Sequence, residues 1–161
     1  MKKSIENREE FLFLAGSWFA MAFSVPVLVF WREAERSVVD FLFFIFPPIA
    51  LAFLCGEAFG SDILKPGLVQ NSRQALVKGV KTFLLTYAYF TPVFALSYAF
   101  YTSMFFRDEH EWLTVQFIEN IFIGLFKVAV IGLAAFGWIL AILGALAGWT
   151  LYKFRTLQER P

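Results

Sequence analysis

Formal charges are spaced along this chain so that four long stretches carry none of them. Residues 11–31 give 21 uncharged positions between Glu10 and Arg32, residues 82–106 give 25 between Lys81 and Arg107, and residues 128–152 give 25 between Lys127 and Lys153. A helix rises about 1.5 Å per residue, so each can cross a hydrocarbon layer of about 30 Å. The fourth stretch, between Asp40 and Glu57, has only 16 uncharged residues and crosses as a span over 37–59 with its carboxylates at headgroup depth. The pattern predicts an all-α polytopic membrane protein. Its single domain, 1–161, has four transmembrane helices at about 11–31, 37–59, 82–104 and 128–152.

Ahead of the last stretch the pattern changes. Gln116, Glu119, Asn120 and Lys127 fall at helical spacing on one stripe, while Ile118, Ile121, Phe122, Leu125 and Phe126 fill much of the rest. Such a helix is amphipathic. One rod from Trp112 to Lys153 would exceed about 60 Å, twice the hydrocarbon core, so the segment over about 112–126 is expected in the interface, turning into the fourth span near Gly124.

Prolines interrupt the first three spans: Pro26, the doublet Pro47 and Pro48 in "IFPPIALAF", and Pro92. Inside a helix in water a proline costs about 3 kcal/mol, because it withholds a donor from the carbonyl four residues back and clashes with it. In a membrane a neighbouring helix or a hydroxyl can satisfy the freed carbonyls, here those of Ala22, Phe43, Phe44 and Ala88, so kinks are expected at these sites.

Two further patterns lie on the third and fourth spans. Tyr87, Thr91, Tyr98 and Tyr101, at offsets of 4, 11 and 14, line one helical face around Phe94. Such hydroxyls serve either hydrogen bonds between helices, at about 1 kcal/mol each or less, or a site for an amphipathic ligand such as a lipid head or a quinone. On the fourth span Gly137, Ala141, Gly144, Ala145 and Gly148 repeat small residues at spacings of 4, a face that lets another backbone approach closely.

Composition supports the membrane reading, with 59% hydrophobic and 17% charged residues against roughly half and a quarter in soluble domains. A net charge of +1 offers no field for nucleic acid. Of the 14 Lys and Arg, ten fall in the amino-terminal tail, the connection after the second span and the carboxyl tail. The positive-inside rule then places both termini in the cytoplasm, with the protein in the plasma membrane. Trp31 and Trp112 mark the outer boundary, Trp149 and Tyr152 the inner one. In the inner connection Asn71 or Ser72 is positioned to cap a helix, with Arg73, Lys78 and Lys81 facing anionic lipid.

Chemistry-bearing residues are few. The one histidine, His110, lies in the outer loop "RDEHEW", so paired intramembrane haem ligands are lacking, and the one cysteine, Cys55, forms no Cys-x-x-Cys relay. Hydrolase, zinc-protease and P-loop patterns do not occur, and the consecutive residues Asp108 to Glu111 cannot all converge on one ion. No metal or cofactor is expected. Arg36 and Asp40, four apart, together with Lys127 at the same depth, read as an ion pair at the outer rim. The expected function is that of an accessory or scaffold subunit in a larger membrane complex, acting by helix packing, with the lipid bilayer and other membrane subunits or copies of itself as partners. The second reading is a small oligomeric transporter or channel for an amphipathic or hydrophobic ligand, along the Tyr87, Thr91 and Tyr98 face. A lipid-modifying enzyme ranks last for want of an acid–base pair.

Overall fold

The structure is a computed structural model that describes residues 2–31, 44–65, 67–105 and 115–158. Among them there are helices and turns and no strand. Helix α1 covers Lys2–Trp31. Helix α2, Phe46–Cys55, is prolonged by a π-helical turn at Gly56–Gly60 and a 3₁₀ turn at Ser61–Ile63. Helix α3 covers Ser72–Phe105 and α4 covers Val115–Phe126. A π-helical segment, Lys127–Gly132, joins α4 to α5, Leu133–Gln158.

Three of these helical stretches are long and apolar enough to cross a membrane: Ser72–Thr102, Phe117–Ala135 and Gly137–Gln158. The last two follow one another in a helical backbone that is continuous from Val115 to Gln158, a contour of roughly 66 Å at about 1.5 Å per residue. The helix passes through Gly124, where the pattern predicted a turn, and departs from α geometry only at Lys127–Gly132. Gly124 serves close approach instead. A Cβ there would sit 3.0 Å from the Cα of Ala95 on α3, tighter than a packed helix pair normally allows.

This long helix runs antiparallel to α3 along its length. Phe117 meets Phe100, Gly124 meets Ala95, Gly144 meets Val80 and Phe83, and Gly148 meets Ala75 and Gly79. The pairing shifts the two charge-free runs, 82–106 and 128–152, out of step: they overlap over roughly 11 residues counted on α3 and 14 to 17 counted on α5, or about 16–25 Å. Lys81 consequently lies beside the charge-free part of α5, near the level of Ala141 to Gly144.

Pro92 sits inside α3, and Pro26 lies within the helical backbone of α1. Pro47 and Pro48 lie where the π-helical backbone of Phe44 and Ile45 passes into the α-helical geometry of α2.

Helix α1 crosses α2 at Gly16 and Gly56. A Cβ on Gly56 would lie 2.8 Å from the Ala15 carbonyl oxygen and 2.9 Å from the Gly16 Cα, so this is contact of backbone on backbone. Phe13 packs edge-on to Phe53, with ring centroids 5.8 Å apart, and Phe19 covers Gly60. Contacts that advance together in both helices mean that α1 and α2 run in the same direction at the crossing. The core gathers around Phe83 of α3, whose ring centroid is 5.7 Å from that of Phe19 and 5.4 Å from that of Phe23. Ile63, Leu64, Ala75, Leu140 and Leu151 complete it.

Candidate functional site

The most highly connected part of the molecule is the loop between α2 and α3 with the carboxyl end of α5. Its helix start follows from local chemistry: Asn71 Oδ1 accepts a hydrogen bond from the Gln74 N–H at 2.9 Å, and Gln74 Oε1 accepts one from the Gln70 N–H at 2.9 Å. Cap and third-residue side chain thus satisfy two otherwise orphaned donors. Just before it Gly67 takes φ +82, a left-handed turn that glycine adopts without a steric penalty.

Arg155 closes this loop from the far end of the sequence. Its Nη1 donates to the carbonyls of Ile63 and Lys65, both at 3.1 Å, and its Nη2 donates to that of Val69 at 2.9 Å. A planar guanidinium supplies such divergent donors to loop carbonyls that have no helical partner. Tyr152 lies under the guanidinium, 5.3 Å from ring centroid to Cζ, and its hydroxyl donates to the Gln70 carbonyl at 3.2 Å. Asp62 binds two lysines, Lys65 at 2.5 Å and Lys78 at 2.7 Å. Burial alone would raise the Asp62 pKa, but the hydrogen bonds and charges of the two lysines together outweigh it and hold the carboxyl below its ordinary value. Lys78, expected to face lipid, is therefore turned to this carboxylate.

The small-residue face on α5 divides into two rows. Gly144 and Gly148 lie on α3: a Cβ on Gly144 would be 2.8 Å from the Gly79 carbonyl oxygen and 3.0 Å from the Val80 Cα, and a Cβ on Gly148 would strike the Ala75 carbonyl. Gly137 meets only Leu133 of its own helix, and Ala141 and Ala145 are half-buried beside the contact. The matching surface on α3, Ala75 and Gly79 four apart, went unread in the sequence, as did Gly16, Gly56 and Gly60. Spacing of small residues on both members of each pair was the available signal.

On α3 three of the four hydroxyls in the stripe, those of Tyr87, Thr91 and Tyr98, take part in hydrogen bonds. Tyr87 donates to the Val128 carbonyl inside the π-helical segment, where helical pairing is irregular, and Gly132 leaves room for its hydroxyl. Thr91 donates to the Tyr87 carbonyl of its own helix at 3.0 Å. Tyr98 receives the Lys127 ammonium, 3.5 Å from its hydroxyl and 5.1 Å from its ring centroid. Tyr101 packs edge-on to Phe44, with centroids 5.1 Å apart. Arg36 and Asp40, the other members of the expected rim pair, lie outside the described residues, as does His110. The structure thus sets Tyr87 and Tyr98 against the π-helical segment that carries Lys127 and Val128, while Gly144 and Gly148 meet α3 near its amino-terminal end.

Compared with protein-family models, with curated proteins and with solved structures, the chain matches none of them.

Proposed function

We propose that the protein is an accessory or scaffold subunit of a membrane assembly in the plasma membrane, with the 61–71 loop and the carboxyl end in the cytoplasm. In this reading residues 11–31 form a fourth membrane segment, 112–126 lies at the outer boundary, and Pro26 and Pro92 bend their helices. The observation that carries it is Glu119. Its carboxylate is exposed on α4 among the exposed Ile118, Phe122, Ile123 and Phe126, on a helix apolar enough to enter a membrane. At that boundary a carboxylate set among exposed apolar side chains gives α4 both a docking surface and a charge for a partner's cation to pair. Internal use of the α3 hydroxyls favours packing over a ligand path.

The test is purification in mild detergent and identification of co-purifying chains, for wild type and for Glu119→Gln. A stoichiometric foreign membrane chain that is lost from the variant is the expected result. A homo-oligomer of this chain alone, indifferent to Glu119, would overturn the scaffold reading in favour of transport.

A further inference from the structure

The cations at the loop end fall into two groups. Lys65 and Lys78 are held by Asp62, and Arg155 by loop carbonyls. Arg73 and Lys81 are exposed on the outward face of α3, and among the described residues neither has a hydrogen-bonding or ion-pair partner. Lys81 also lines a shallow apolar groove with Leu76, Val77, Val80, Leu84 and Leu85. Positions 73, 77, 81 and 84 share one helical stripe, so Arg73 extends the same surface about 12 Å toward the loop. The register described above adds a second constraint, because Lys81 is flanked by the charge-free part of α5 rather than by its polar end.

We infer that this face binds an anionic phospholipid, with the phosphate on Lys81 and an acyl chain along Leu84, Leu85 and Val80. The inference rests on the membrane reading and is independent of the scaffold role. The chemistry of the surface selects the ligand: an unneutralised ammonium next to an apolar trough matches a molecule that is anionic at one end and apolar at the other. The lysine stem lies along the apolar surface while its ammonium reaches headgroup depth. Arg73 adds positive potential on the same side and favours a net negative headgroup over a zwitterionic one.

The experiment titrates the full chain in detergent with phosphatidylglycerol, phosphatidylcholine or inorganic phosphate, counting bound molecules by native mass spectrometry. Phosphatidylglycerol is expected to bind about fivefold more tightly than phosphatidylcholine. Lys81→Gln should erase that preference, Lys81→Arg should retain it, and Leu84→Gln should weaken both lipids. Lys65→Gln, which leaves Lys78 on Asp62, should change neither. Retention of the preference in Lys81→Gln would overturn the site. Displacement of phosphatidylglycerol by millimolar inorganic phosphate, without loss of affinity in Leu84→Gln, would overturn the groove.

Discussion

The two ends of α3 are held by different means. Near Ser72 its neighbours approach backbone to backbone, through Gly79, Gly144 and Gly148, and a polar cluster of Arg155, Tyr152, Asp62 and Lys78 fixes the adjoining loop. Toward Phe105 one close backbone approach remains, Gly124 on Ala95, and it is flanked by contacts between rings: Phe44 lies 5.5 Å from Phe94 and 5.1 Å from Tyr101, and Phe100 lies 5.4 Å from Phe117. Glycine crossings tolerate almost no added volume, because the atoms they face are main chain. Aromatic contacts can shift by rotamer changes. The charged end therefore tolerates less added volume than the aromatic end.

The first way to break this contrast is to ask to which end the amino terminus belongs. Helix α2 starts beside the aromatic end and finishes at the charged end, and α1 crosses it in the same sense, so a reporter before Lys2 is expected on the opposite side from one after Gln158. Both reporters on one side would restore the topology that charge counting implies. Next in size is Gly148→Leu. Added atoms would collide with the Ala75 carbonyl, and a loss of about 3 kcal/mol or more should appear as a lower unfolding temperature in detergent, whereas Gly137→Leu should stay within about 0.5 kcal/mol. An equal effect of both would show that the glycine crossing is not special.

Arg155→Met should follow, at about 2 kcal/mol, since three loop carbonyls lose a charged donor. Limited proteolysis within 61–71 reads it out, and unchanged cleavage would remove Arg155 as the clasp. The smallest effect concerns acid. The Asp62 carboxyl is held below its ordinary value in the folded protein, so its contribution is fully present above the unfolded carboxylate pKa of about 4 and is lost as pH falls through the lower folded value. Loop cleavage should rise in that acidic window in wild type but not in Asp62→Asn, whose cleavage is raised at neutral pH.

Much of this arrangement was legible beforehand. Helicity, the apolar stretches over 82–106 and 128–152, and the cap at Asn71 follow from local pattern, because hydropathy and capping act within a few residues of themselves. Gly144 and Gly148 could be picked out as small residues, but not assigned to Ala75 and Gly79, since a packing face does not specify its complement. Arg155 entered only the charge count of the carboxyl tail for the same reason: its partners are carbonyls some ninety positions away, and carbonyls leave no mark on side-chain sequence. The direction of α1 was hidden as well. Crossing sense depends on which glycine meets which, Gly16 against Gly56, and not on how apolar either segment is.

The staggered pairing of α3 with the 115–158 helix also bears on the surrounding lipid. Lys81 at one level and Lys127 at another bracket a strip about 16–25 Å tall, while an undisturbed bilayer offers about 30 Å of hydrocarbon. Compression of the acyl chains around the helix pair, or an outward stretch of both ammonium groups on their stems, would close that difference.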